Sequence, residues 1–299
     1  MVSLLSTLRR RTFATVTIEL GLVKVLVCRD LEVLGYRITP VTPRYFREGL
    51  ISNREGVAGV IRSAVSDLDG QTSVAVAAVP GFQNNLWVME LPQAQGLDPG
   101  LVIPQDATRR MGISPETSYM RWHRLADILD RRRWLVVSAT RRSMATIPET
   151  FQRSGLKLRY MELRQFALAR AVNEPDAMIV STYADGCDVV IVRDAAPVAN
   201  TGLYWGADTL DGPTLLNRLA EAASRTVAVH NQNTLEDPLS EDVPLFVFGS
   251  PIAREPTIAT QLATALQRPS GVASPPIRYP ADLPLQDMMV NIGLALAMG

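Results

Sequence analysis

Sulfur and imidazole are scarce in this chain. Two cysteines, Cys28 and Cys187, and two histidines, His123 and His230, are all it has in 299 residues. Two thiols cannot make a disulfide framework. Each lies in a β-branched run, so they read as buried thiols of a reducing compartment, with a bridge between them as the alternative. The histidines stand far apart with no cysteine or carboxylate at ligand spacing, which makes them surface or polar-network imidazoles and leaves no metal site. Net charge is missing as well. Thirty basic and thirty acidic side chains cancel, which argues against a nucleic-acid footprint. No apolar run approaches the ~20 residues needed to cross a bilayer. C-x-x-C, the P-loop and the G-x-S-x-G elbow are all absent, and with them the commonest signatures of dithiol exchange, phosphate cradling and serine hydrolysis.

What the chain does have is apolar content, 47% against 20% charged, enough to pack a core over most of its length. Its size calls for two lobes. One pattern occurs twice. Thr15 to Asp30 and Ala177 to Asp194 each hold a β-branched run, a tight break, and a second β-branched run closing on Arg-Asp. A further strand-like segment follows each, Val33 to Thr39 and Val198 to Tyr204. A repeated hydrophobic pattern reports a repeated supersecondary unit, so the expectation is a duplicated α/β fold with function in the cleft between the halves.

Between these landmarks, Ser52-Asn53-Arg54-Glu55 reads as a capping box with its hydroxyl at the cap, opening a helix to Leu68 that Asp69-Gly70 ends. Val74 to Val79 is a buried strand closed by Pro80-Gly81. Strand candidates at 86–91, 118–125 and 134–139 and a helix at 102–111 make a small α+β insertion. Arg131-Arg132-Arg133 and Arg141-Arg142 read as turn and helix-entry charges facing water, a polyanion site being the alternative. Trp87, Trp122, Trp134 and Trp205 read as core residues. Helices follow at 144–154 (capped by Gly155) and 162–172, then a boundary at Asn173 to Asp176. The second half carries a hairpin marked by Asp185-Gly186, a helix at 215–229, a strand at 245–248 and helices at 257–266 and 285–298. Met1 to Arg11, a short apolar piece followed by three arginines, lacks the order of a secretory signal and reads as a solvated leader able to lie near an acidic membrane surface.

This order resembles the actin-like ATPase superfamily, specifically its PilM-like type IV pilus assembly proteins, with the division protein FtsA more distant. Ile18-Glu19-Leu20-Gly21 with Val23-Lys24-Val25 is similar to the first phosphate hairpin. Val76 to Gly81 and the insertion after it resemble the family's extra subdomain. Phe151 to Leu156, Glu162 and Phe166 to Arg170 resemble the re-entry into the lobe, and Asn291 to Leu296 the terminal helix. The resemblance implies a leader at 1–12, a first lobe at 13–81 and 142–173, an inserted α+β subdomain at 82–141 and a second lobe at 174–299. The helical subdomain of that lobe is reduced to about 208–242, where Gly206-Ala207-Asp208 passes to Leu215 through one short loop.

The implied nucleotide positions are Glu19, Gly21, Lys24, Asp185, Gly186, Gly249 and Ser250, and they are degenerate. Active members hold Mg²⁺ and orient water with an aspartate in each lobe. Here Glu19 stands in the first such position, in a turn about two residues shorter than the family's. Ser181-Thr182-Tyr183 replaces Asp-Ile-Gly in the second, and Gly249-Ser250 replaces Gly-Gly. The resemblance therefore implies a cytoplasmic, inner-membrane-associated scaffold without catalytic residues or a required cofactor. Its partners would be the N-terminal cytoplasmic tail of a PilN-like inner-membrane protein, lying in the groove between the first lobe and its insertion with the contacts somewhere in Leu86 to Arg141, and other pilus-base proteins. The alternative is an active ATPase or sugar-type kinase using ATP and Mg²⁺ through Glu19, Lys24 and Asp185.

Overall fold

The computed structural model describes residues 12–68, 72–79, 84–93, 97–206, 208, 210–234 and 237–299. The leader, Asp69-Gly70, Pro80-Gly81 and Ala207 lie outside the described residues.

Strands β1 (Thr12–Glu19), β2 (Leu22–Arg29) and β3 (Glu32–Pro40) form an antiparallel meander. After two short strands, β4 (Phe46–Arg47) and β5 (Leu50–Ile51), helix α1 (Arg54–Ser66) leads to β6 (Val74–Val79), which returns parallel to β1. The cap of α1 is Asn53, whose side-chain oxygen accepts from the Gly56 amide, and not the Ser52 hydroxyl. An amide oxygen one residue nearer the helix reaches the free N–H better. Strands β7 (Asn84–Pro92), β8 (Ser118–Arg124) and β9 (Arg131–Thr140), with helix α2 (Pro99–Met111), make a separate three-stranded sheet in the order β7-β9-β8. Helix α3 (Arg141–Ser154), stopped by Gly155 at φ 81°, and strand β10 (Lys157–Leu163) complete a five-stranded sheet ordered β10-β6-β1-β2-β3.

Helix α4 (Arg164–Val172) crosses to the second sheet, β13-β12-β11-β14. There β11 (Ala177–Tyr183), β12 (Gly186–Arg193) and β13 (Ala196–Tyr204) repeat the meander, and β14 (Leu245–Phe248) lies parallel to β11 as β6 does to β1. Helix α5 (Gly212–Asn233) starts directly from its Asp211 cap. Helices α6 (Ser250–Arg254), α7 (Thr257–Ala265) and α8 (Leu285–Leu296) close the chain. The two meanders with their parallel fourth strands are the duplication the sequence pattern announces.

Helices α4 and α8 form the core between the sheets, with Leu168, Ala171, Ile292 and Leu294 buried against Leu26, Val76, Ile179 and Val190. They meet at main-chain distance, since a Cβ on Gly293 would sit 1.8 Å from the Ala167 carbonyl oxygen. Asn291 ties α8 to the first meander. Its amide donates to the carbonyls of Thr15 and Lys24 at 3.1 Å, and its oxygen accepts from Thr17 Oγ1 at 3.0 Å.

Two further features depart from the sequence expectation. Arg131, Arg132 and Arg133 belong to strand β9, not to a turn. Arg133 is buried, within 4.0 Å of Glu90 and 3.8 Å of Asp237, because strand alternation points it at the second lobe. That side of the inserted sheet also places Leu86, Val88 and Leu135 on Ile191, Val198, Leu239 and Val243. The insertion thus rests on the second lobe as well as being covalently held by the first. Trp87, Trp122 and Trp134 share its other face and are half-buried under α2, while Trp205 is buried in the second lobe. Cys28 and Cys187 are free and buried in different clusters. Burial pushes the Cys28 thiol up to about 12 and Cys187 higher still. His230 is buried beside Thr234 Oγ1 at 3.3 Å and is pushed down to about 4, by burial and then by Arg193. His123 is exposed.

Candidate functional site

Alternation along β1 sorts its side chains by face. Ala14, Val16 and Ile18 enter the first-lobe core, leaving Thr15, Thr17 and Glu19 to face α4 and α8. Opposite Thr17 stands Lys24. Its ammonium, only 3% exposed, reaches Glu19 Oε1 at 3.0 Å. The turn joining the strands is Leu20-Gly21, and Gly21 takes φ 84°, where a side chain is disfavoured.

The second meander places its own polar groups toward the same space. Its turn is Ala184-Asp185, and Gly186 is the first residue of β12. Gly186 does not adopt positive φ. The reversal is as tight as the Asp-Gly pair marks it, and a Cβ on Gly186 would lie 2.2 Å from the Leu203 carbonyl, so close approach of β13 is what excludes a side chain. Asp185 is 3% exposed, and the Leu20 amide of the first hairpin lies close enough to lower its pKa, so the tips of the two hairpins meet. Tyr183 and Asp188 are buried beside it.

Arg164, the first residue of α4, is set between the hairpins. It is 2% exposed. Its guanidinium is 3.5 Å from Glu19 Oε1 and from the Ile18 carbonyl, and its Cζ lies 4.4 Å from the centre of the Tyr183 ring. Neither Arg164 nor Asp188 stands out as a family position, and Tyr183 does so only as the residue in place of the family's glycine. Asp188 carries one visible signal, a carboxylate inside an otherwise apolar strand. Arg164 carries none, because an arginine opening a helix is ordinary on a surface.

Glu19, Asp185, Arg164 and Tyr183 line one pocket, with Ser143, Thr146, Ile147, Phe46 and Leu50 as its other walls. The room left is about 30 Å³. That suits one water, whereas ligand pockets run from roughly 300 Å³ upward. Lys24 and Gly21 stand behind the first hairpin and do not line it. Gly249 and Ser250 also lie off the pocket. Gly249, at φ 116°, lets the chain pass Thr182, whose carbonyl a Cβ would meet at 1.8 Å, and the Ser250 hydroxyl donates to Asp287 Oδ1. They anchor α8. Among the described residues no group of three histidine, cysteine, aspartate or glutamate side chains is placed to hold a metal.

The electrostatics follow from burial. Desolvation pushes the Asp188 carboxyl up to about 7, against the pull of Arg164, with Asp185 and Glu19 adding to the rise. Asp185 is pushed up to about 6 by burial, again opposed by Arg164, and by the amides of Asp185 and Leu20. The Tyr183 hydroxyl is driven well above its usual range, first by burial and then by Asp188. The folded protein therefore keeps protons on Asp188 and Asp185 that an unfolded chain releases near pH ~4. Stability falls as pH rises from ~4 to ~7 and levels off above. Asp188→Asn is expected to flatten this fall and raise the thermal midpoint at pH 8, as scanning calorimetry of both proteins across pH 5 to 8 would record. An unchanged slope would show that Asp188 does not carry the effect.

No protein-family model matches the sequence, and no curated protein matches it. Solved structures do match, over nearly the whole chain. A chain of a PilM–PilN type IV pilus biogenesis complex superposes with a TM-score of 0.72 at 16% identity, covering 96% of this chain and 98% of that one. The fold is actin-like. The ethanolamine utilization protein EutJ of Carboxydothermus hydrogenoformans shares this actin-like frame at TM-score 0.57 and 11% identity, covering 97% of this chain and 90% of its own. So does the cytoplasmic domain of EpsL, an inner-membrane component of the Vibrio cholerae type II secretion system, at 0.55 and 13%, covering 96% and 95%. Within the actin-like frame, the two hairpins and helix α4 are the elements that meet in the pocket described above.

Proposed function

We propose that the protein is a scaffold of a type IV pilus or related secretion or DNA-uptake machine that works without ATP hydrolysis. It sits in the cytoplasm at the inner membrane and captures the N-terminal cytoplasmic tail of a PilN-like membrane protein. The frame it shares with the PilM–PilN chain and the EpsL domain supports the setting. Among the described residues no helix is long and apolar enough to cross a membrane, which is consistent with attachment through a partner. One observation carries the loss of ATP chemistry. The position between the hairpins is taken by the chain's own cation, Arg164, held by Glu19 and Tyr183, with the Leu20 amide beside Asp185. Phosphate oxygens and Mg²⁺ need those same groups, and the triphosphate needs that volume.

The rival reading, an ATPase or sugar-type kinase, draws on the meeting of Glu19 and Asp185 at one pocket. Thermal unfolding with and without millimolar Mg-ATP separates them. A ligand that binds only the folded state at a hundred times its Kd adds about 2.7 kcal/mol. The scaffold reading expects no change in midpoint with Mg-ATP and a rise with a synthetic tail peptide of the membrane protein encoded beside it. A rise with Mg-ATP would show that the pocket takes nucleotide and overturn the closed-pocket reading.

A further inference from the structure

Resting on the peptide-capture reading, we propose that strand β8 is the docking element. It would take an extended partner segment carrying acidic side chains at alternate positions, as one more strand of the β7-β9-β8 sheet. The β7 side of that sheet is closed. The Leu86 amide donates to Asn200 Oδ1 of β13 at 2.7 Å, and Leu86, Val88 and Leu135 are buried on the second lobe. Strand β8, at the other side, pairs only with β9 among the described residues. An unpaired edge presents a row of amide and carbonyl groups ready for another strand, with side-chain pockets giving specificity.

The side chains of β8 say which strand. Met120 and Trp122 turn inward to the face under α2, while Tyr119, Arg121 and His123 are exposed on the opposite face. The insertion, residues 82–141, holds eight arginines against six carboxylates in a chain whose total charge is zero. Several of these arginines are occupied, Arg109 and Arg110 by Asp106 and Arg124 by Asp127. Arg121 is not. Among the described residues its guanidinium has one hydrogen-bond partner, the carbonyl of its neighbour Met120 at 2.9 Å. A carboxylate on a strand added beside β8 gives Arg121 a cross-strand partner of opposite sign, whereas a second copy of β8 sets arginine and histidine against themselves. The charge that blocks self-pairing therefore selects an acidic segment, and the seven residues of β8 set its length.

The test uses two synthetic heptapeptides, one alternating valine with aspartate and one alternating valine with lysine. Each is titrated by fluorescence anisotropy against the full chain at low and high salt, with hydrogen exchange read over residues 118–124. The aspartate peptide is expected to bind, to weaken with salt, to outbind the lysine peptide by about tenfold or more, and to protect those amides. Arg121→Glu and the milder Arg121→Gln should each weaken it, with the thermal midpoint unchanged because Arg121 is exposed. No binding, equal binding of both peptides, or protection elsewhere would overturn the proposal. A partner tail that binds but leaves residues 118–124 unprotected would remove β8 and spare the capture reading. If the tail binds nowhere while the aspartate peptide protects β8, the capture reading falls and the docking strand stands.

Discussion

Gly293→Ala is expected to cost about 4 kcal/mol or more, which for a chain of this size lowers the thermal midpoint by on the order of 10 °C. The added Cβ would lie 1.8 Å from the Ala167 carbonyl oxygen, 2.4 Å from its carbonyl carbon and 2.7 Å from its Cα. All three are main-chain atoms, so no side-chain rotation can relieve the contact. The helices must separate, and α4 and α8 hold the core between the two sheets. Overpacking of a side-chain core commonly costs 1–3 kcal/mol because neighbours shift; here the neighbour is a helix backbone with a sheet on either side. In isolation the same substitution favours the helix by up to about 1 kcal/mol, so propensity and packing predict opposite signs. Calorimetry on the purified variant decides between them. A midpoint at or above that of the parent would mean that α4 and α8 do not cross as described.

Arg164→Met is expected to destabilise by about 3–5 kcal/mol, the usual cost of removing one partner of a buried ion pair. Methionine roughly fills the space, so the loss measures charge and not a cavity. Without the guanidinium, Glu19 keeps only Lys24, while Asp185 and Asp188 lose the one cation that opposes their rise in pKa. The variant should therefore hold its protons to higher pH than the parent and lose most stability on the alkaline side. Adding Asp188→Asn removes one of the carboxyls left uncompensated, so the double variant should recover part of the loss, and a double-mutant cycle at pH 8 gives the coupling. Because the groups are buried, added salt should change the result little. If Arg164→Met unfolds with the parent's midpoint at every pH, the guanidinium does not hold the hairpins together and does not close that space to a nucleotide.

Much of the frame can be read from residue order. The β-branched runs at Thr15 to Asp30 and Ala177 to Asp194 are strands because alternation and branching leave them few other packings. Their recurrence is a duplication because the same pattern needs the same partners. Gly155 marks its helix end through positive φ, a property of the residue itself. The site was legible only in part. Glu19, Lys24 and Asp185 are visible as charges at hairpins, but their company is not. Arg164 is distant in sequence from both hairpins and sits at a helix start that looks like any solvated one. The face taken by Arg133 likewise depends on the strand register, which shifts with the position of one turn.

The sequence alone determined most of the longer strands and helices, their order and their repetition, since each follows from local propensity and the period of the apolar pattern; the short β4, β5 and α6 and the strand start at Arg131 it did not. Only the tertiary structure decided that Arg164 lies between the hairpins, that Asp185 meets Leu20, and that the insertion leans on the second lobe. These are contacts between segments far apart along the chain. They are set by how two sheets close over α4 and α8, and no local pattern records the distance at which that closure stops.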